Sequence, residues 1–398
     1  MGDVISHEWE RAFARRTIIT ATDMAKWRNI TLDNAGRMYE LRVFVGPTRD
    51  EAQPLKFKCL DFADARSDVA YLPECPPAAN GTLLAASLWH NILVWRLSDG
   101  LLVQCLQSHT GTFYSLAFSP DGYSLVSGAK DGTAVVWDIR RGCVLLCLDG
   151  HNGEVNKVAY APHGTLIATA AVSNFCETVR VWDASTGACL QSFGVDRSVH
   201  ELAFSPDSLR FYVKLSDEYS IYDTETYARI GGVSATGAIS RQVDRIVTTT
   251  KTDKVRVKIL SAITGQELLA IDEQRELSDL AAFSPDGLEI LVICKADGTA
   301  TTYDSGTGQL RCTFRLSSTP HDVMYSPSGD YVIFANQDDV YVYGAKSGTF
   351  IAKVEGYVDQ LLHLEASRLI SDSQTLLWSS YGGTHLRACN IQDLLRIQ

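Results

Sequence analysis

Long apolar runs are missing from this 398-residue sequence, and nothing approaches the ~18 residues that a membrane-spanning helix needs. A secretory leader is not expected either, because Glu8, Glu10, Arg11, Arg15 and Arg16 interrupt the first segment. The sequence is also short of positive charge. Lys and Arg total 36 against 47 Asp and Glu, a formal charge of −11. Such a surface repels phosphate backbones, so nucleic acid is not an expected partner and acidic membranes are disfavoured. Of the ten cysteines, none form C-x-x-C pairs, which excludes the usual zinc knuckles. They sit in apolar runs and read as buried or half-buried free thiols of a reducing compartment. Cys143 and Cys147, four apart, fall on one face of a strand.

Catalytic signatures are equally scarce. There is no G-x-x-x-x-G-K-[ST] loop, no H-E-x-x-H and no G-x-S-x-G. Aspartates cluster in Asp-Gly turns, where backbone geometry already accounts for them. No metal, cofactor or catalytic residue is expected, and an enzyme is the least favoured reading. No helical period of useful length interrupts residues 66–390.

What the sequence does have is self-similarity. An aromatic followed by turn chemistry recurs at Phe118-Ser-Pro-Asp-Gly122, Tyr160-Ala-Pro-His-Gly164, Phe204-Ser-Pro-Asp207, Phe283-Ser-Pro-Asp-Gly287 and Tyr325-Ser-Pro-Ser-Gly329. The intervals are 42, 44, 79 and 42 residues, which leaves room for one decayed copy near Ile239 to Val247. Proline presets φ and glycine supplies φ > 0, so each run marks a tight turn.

Downstream in each unit an alternating apolar strand ends at Trp-Asp or a relative. These endings are Trp95, Trp137, Trp182, Tyr222, Leu260, Tyr303, Tyr343 and Trp378, spaced 42, 45, 40, 38, 43, 40 and 35 apart. Each unit thus holds four short strands. Such a unit cannot bury both faces alone, and radial stacking against its neighbours solves the problem. The expected fold is an all-β propeller of four-stranded antiparallel blades. Eight blades are expected, with seven as the alternative.

These repeats resemble the WD40-repeat family over about four-fifths of the chain. The unit from His109 to Asp138 carries the full pattern: Asp131 six residues before Trp137, Ser127 ten before, and His109 twenty-two before Asp131. The resemblance implies that these four side chains form a hydrogen-bonded brace. The next unit keeps His151, Thr169 and Trp182, but an insertion around Ser173 to Cys176 displaces its acidic position. Residues 1–65 read as an N-terminal extension and residues 66–398 as the propeller. Ile5, Trp9 and Phe13 suggest a short amphipathic helix. Arg37 to Val45 looks like a third strand with Phe44 at the Trp position, and Pro54 to Phe62 like a fourth. N-terminal strands are expected to close the ring.

The family resemblance implies a non-enzymatic scaffold or adaptor, cytoplasmic or nuclear, that binds proteins or peptides through loops. Trp89 with His90, and Phe175, lie in loops between second and third strands and are candidate anchors. Trp137 to Arg140 resembles the box by which some family members dock on ubiquitin-ligase adaptors, with Arg140 as its donor fork. That makes a cullin-RING substrate receptor one alternative. Lys254, Arg256 and Lys258 share a strand face, which offers a phosphoinositide site or simply a solvated surface.

Overall fold

The computed structural model describes residues 37–45, 54–63, 66–72, 83–88, 91–96, 101–173, 177–235, 237–251, 255–272, 277–294, 298–326, 328–336, 339–355, 360–361, 375–379 and 385–390. Among the described residues every regular element is a strand. An N-terminal pair, β1 (Arg37–Val45) and β2 (Pro54–Ala63), precedes seven successive units. Unit 1 holds β3 (Arg66–Leu72), β4 (Leu83–Leu88), β5 (Asn91–Arg96) and β6 (Leu101–Leu106). Unit 2 holds β7 (Phe113–Phe118), β8 (Ser124–Ala129), β9 (Ala134–Asp138) and β10 (Cys143–Leu148). Unit 3 holds β11 (Glu154–Tyr160), β12 (Leu166–Val172), β13 (Glu177–Asp183) and β14 (Cys189–Val195).

Unit 4 holds β15 (Glu201–Phe204), β16 (Arg210–Lys214), β17 (Glu218–Asp223) and β18 (Arg229–Ser234). Unit 5 holds β19 (Ala238–Ile239), β20 (Arg245–Lys251), β21 (Val255–Ser261) and β22 (Glu267–Asp272). Unit 6 holds β23 (Leu277–Phe283), β24 (Glu289–Cys294), β25 (Thr299–Asp304) and β26 (Leu310–Arg315). Unit 7 holds β27 (Asp322–Tyr325), β28 (Tyr331–Ala335), β29 (Asp339–Gly344) and β30 (Phe350–Glu355). The chain continues through β31 (Gln360–Leu361), β32 (Thr375–Ser379) and β33 (His385–Asn390).

Every unit is an antiparallel meander in sequence order. Among the described residues seven are complete, in keeping with the lower of the two expected counts. The eighth marker, Trp378, lies on β32 in a shorter run, β31-β32-β33, that continues into β2. The N-terminal strands do join the last sheet, though not in the expected positions. Instead of forming a third strand, β1 pairs antiparallel with β30 and with β2, so Phe44 lies opposite Lys353 on an added outer strand. The N-terminal helix expected from Ile5, Trp9 and Phe13 falls outside the described residues.

The cores lie between units rather than within them. Val135 and Trp137 of β9 pack with Leu83, Ile92 and Val94 of unit 1, while Ala134 and Val136 of the same strand pack with Ile167 and Trp182 of unit 3. Strand alternation places successive side chains on opposite faces, so each sheet is buried twice. Tyr222 repeats the arrangement, facing Val179 and Val181 of unit 3 and stacked on Phe193 and Phe211. Tyr303 faces unit 5, and Tyr343 faces unit 6. The Trp-position side chain therefore fills the joint with the preceding unit. A single unit removed from its neighbours would expose both apolar faces.

Two joints recur along the chain. In every unit the outer strand carries a β-bulge opposite the Trp position; its extra residues are Val103, Leu145, Leu190, Ile230, Leu268, Arg311 and Ile351. The bulge adds twist where the sheet meets the rim. The turn before each outer strand also rests on the outer strand of the preceding unit. There Gly142 meets Gln104, Gly187 meets Leu146 and Leu148, and Gly308 meets Leu269 and Ile271. These glycines have φ of +63°, +72° and +73°. Tyr227 takes the same left-handed position in unit 4, with φ of 56°.

The decayed copy expected near Ile239 is present as a turn. Ser240 donates to Asp244 and accepts from the Arg245 amide, as Ser119 does with Asp121 and the Ser124 amide in unit 2. Val243 replaces the glycine at φ 57°, a strained position for a β-branched residue. It is nevertheless buried in the joint between units 4 and 5.

Candidate interaction surface

The brace of unit 2 is built by two strands and two loops: Ser127 lies on β8, Trp137 on β9, His109 ahead of β7 and Asp131 between β8 and β9. Trp137 on β9 donates its indole N–H to Ser127 Oγ on β8 at 2.8 Å. Ser127 Oγ lies 2.9 Å from His109 Nε2, and His109 Nδ1 lies 3.0 and 3.1 Å from the two carboxylate oxygens of Asp131. One proton assignment satisfies the whole chain: the indole donates to Ser127, Ser127 to Nε2, and the Nδ1 proton to Asp131. Asp131 also accepts from the Thr110 amide and from Thr133 Oγ1. Burial alone would raise the Asp131 carboxyl, but the bonds from Thr133 and Thr110 and the His109 ring outweigh it and bring its pKa to about 2. Burial pulls His109 below its ordinary value despite the neighbouring carboxylate, so the imidazole is neutral at pH 7.

Unit 3 rebuilds the brace with different chemistry. Trp182 Nε1 donates to Thr169 Oγ1 at 2.8 Å, and His151 Nε2 lies 2.6 Å from that oxygen. At Nδ1, Thr178 stands in for the carboxylate at 3.1 Å. A cation, Arg180, faces the ring instead. Burial first, then the Arg180 charge, holds the His151 pKa down to about 4. Arg180 reaches over Gly150, where a Cβ would stand 2.3 Å from the guanidinium. The expected displacement of the acidic position thus has a structural outcome, in that a hydroxyl and an arginine occupy the space.

A further periodic feature went unread in the sequence. Gly111, Gly153 and Gly237 each precede an inner strand, and each lies against the backbone of its own unit. Added Cβ atoms would stand 2.7 Å from the Asp131 amide, 1.9 Å from the Val172 carbonyl and 1.6 Å from the Val247 carbonyl. The signal was available: glycine falls two residues after both brace histidines, His109 and His151.

The remaining candidates fare differently. Trp89, His90, Phe175 and Lys254 lie outside the described residues. Arg140 places its guanidinium 3.7 Å from the Tyr123 ring centroid, within its own unit. Arg256 and Lys258 do share a strand face, but carboxylates on β22 neutralise both: Asp272 at 2.7 Å and Glu267 at 2.7 Å. Arg245, nearby, donates to Ser305 Oγ and the Gly287 carbonyl of unit 6 and fastens two units together. This geometry favours a solvated, internally paired strip over a headgroup site.

The cysteines depart from expectation. Cys294 is buried and Cys105 and Cys312 are half-buried, whereas Cys143 and Cys147 on β10 and Cys189 on β14 are exposed. The bulge at Leu145 also breaks the simple alternation between Cys143 and Cys147.

Residues 100–138 and 142–183 match the family model of the WD domain, G-beta repeat. These are the stretches that hold the two braces. Among solved structures, the C-terminal WD40 domain of Sif2 superposes with a TM-score of 0.60 at 16% identity, covering 83% of this chain and 96% of that one. The Dos1 propeller gives 0.58 at 16% identity over 89% of this chain and 95% of that one. The computationally designed Ika8 protein gives 0.58 at 21% over 83% and 97%. The fold is that of a β-propeller, and two of its repeats are similar to those of the WD40 family.

More specific similarity comes from eukaryotic translation initiation factor 3 subunit I. The Aspergillus fumigatus protein is 25% identical over 237 residues, 58% of this chain, and the Neosartorya fischeri protein matches to the same extent. The matched region spans 62% of the length of these relatives.

Proposed function

We propose that this chain is a non-enzymatic, cytoplasmic protein-interaction scaffold, a rigid subunit that holds other proteins in an assembly. The observation that carries the reading is the pair of complete braces within repeats that match the WD domain. His109 and His151, the two histidines that sequence chemistry makes most interesting, are both committed to holding strands together. The strongly lowered carboxylates Asp183 and Asp304 are likewise spent on turns, hydrogen-bonded to Thr186 and Thr307. What remains for partners is the rim and the loops. The resemblance to an initiation-factor subunit points the same way, toward a structural member of a multi-protein complex.

Affinity purification of the full chain at native abundance, followed by mass spectrometry and sizing of the intact complex, tests this. A fixed set of partners in stoichiometric amounts is expected. Recovery of the chain alone from a gentle lysate, or a turnover activity in the purified chain, would overturn the proposal.

A further inference from the structure

The outer strands differ in how their free edges are guarded. Those of units 4 to 6 carry ion pairs: Arg229 with Glu218, Lys258 with Glu267, Arg256 with Asp272, and Arg311 with Asp304. The edge of β30 is covered by β1. By contrast, β10 reads Cys143-Val-Leu-Leu-Cys-Leu148, without a charge, and ends its sheet. Leu145 is 46% exposed and Val144 37%, and Cys143 and Cys147 are exposed as well. The neighbouring turn at Gly187 lies against Leu146 and Leu148. An uncharged edge of this kind offers unpaired backbone N–H and C=O groups to another strand.

The sequence around this edge is close to palindromic about Leu145. Cys143 and Cys147 lie two residues to either side, with Val144 and Leu146 between them. Further out, Arg141 precedes by four and Asp149 follows by four, both exposed. If two copies of β10 met antiparallel about a two-fold axis at Leu145, Arg141 of each would face Asp149 of the other. Cysteines would face cysteines and aliphatics would face aliphatics. Among the described residues the Arg141 head has a loose contact, 3.6 Å to Asp138, with its side chain 78% exposed.

We propose that β10 is a self-association surface, at which a second copy of this chain adds its own β10 antiparallel, two-fold about Leu145. Like the pairing of β1 with β30, the contact would extend a blade outward by main-chain bonds. A contact one strand long is small, so the dimer is weak and concentration-dependent. The inference is independent of whatever else the loops bind.

Sedimentation velocity of the full chain across a concentration series tests it. Wild type should pass from monomer to dimer. Leu145→Lys places like charges opposite each other at the axis and should raise the dissociation constant at least about tenfold. Leu145 is half out of the sheet, so the variant's melting temperature should stay unchanged. Arg141→Glu should weaken the dimer by facing Asp149 with a like charge. The double variant Arg141→Glu/Asp149→Arg should restore it, which only this antiparallel register predicts. A chain that stays monomeric throughout, or a dimer indifferent to both Leu145→Lys and the charge reversal, overturns the proposal.

Discussion

Replacing Ser127 by alanine removes the one atom on which the unit 2 brace turns. Ser127 is fully buried, and its Oγ serves Trp137 Nε1 at 2.8 Å and His109 Nε2 at 2.9 Å. Trp137 is 1% exposed, so water cannot take over the indole proton. Each buried polar group left without a partner costs about 1–3 kcal/mol. Two such groups, relaxing partly together, put Ser127→Ala at about 2–4 kcal/mol. Threonine is the control, because unit 3 makes the same two contacts with Thr169. Ser127→Thr keeps the hydroxyl and adds a methyl, so it should be milder than alanine by at least about 1 kcal/mol. In a Trp137→Phe background no indole proton remains to be stranded. The cost of Ser127→Ala there should fall by about 1–2 kcal/mol. Urea titrations monitored by near-ultraviolet circular dichroism give these differences. Ser127→Ala within about 0.5 kcal/mol of wild type, or Ser127→Thr no better than Ser127→Ala, would refute the brace as an energetic unit.

Two further outcomes follow from the same geometry. His151 has its pKa held at about 4 in the folded chain, below the ordinary histidine value of 6.5. Its contribution to stability is therefore complete above about 6.5 and lost as pH falls toward 4, where only the unfolded chain takes the proton. The loss is at most about 3 kcal/mol. His151→Gln should flatten that part of the pH profile and leave the share due to His109; an unchanged slope would contradict it. For the glycines, Gly153→Ala should be worse than Gly187→Ala in thermal melts. At Gly187 the cost is a left-handed backbone, about 1–2 kcal/mol, with only ordinary contacts to Leu148. At Gly153 the new Cβ would meet the Val172 carbonyl at 1.9 Å, so the backbone must move. Equal melting temperatures would show that the chain relaxes there at little cost.

Apolar alternation and turn residues were enough to read the strand pattern, because both are local properties. Trp137 and Trp182 stand out by type and spacing, and the resemblance to WD40 repeats, with its matching offsets, points to Ser127, Asp131 and His109 as brace partners. What escaped was non-local. Nothing in Arg37 to Val45 distinguishes a third strand from an added outer strand, since both need only alternation; the free edge of β30 decides it. Nor does Lys353 look like a core residue, yet it is 2% exposed and paired with Asp339 at 3.0 Å. The bulges at Leu145 and Leu190 leave no mark in composition, because they arise from register between two strands.

The division of labour among the units bears on where partners can bind. Units 2 and 3 are held by buried braces and full turn glycines, and their outer strands carry no charge. Unit 4 places Ser208 and Tyr227, and unit 5 places Val243, at left-handed positions that glycine fills elsewhere. Ion pairs across the outer strands of units 4 to 6, and Arg245 bridging units 5 and 6, hold this second region together. A charged outer strand also discourages the addition of foreign strands. The ion pairs that accompany weaker turns in units 4 and 5 therefore also close their rims, and unit 6 shares that closure, while strong internal bracing in units 2 and 3 leaves theirs free to be apolar. On this argument, contacts made by main-chain pairing belong to the β10 side of the molecule. Partners on the opposite side must be recognised by side chains and loops.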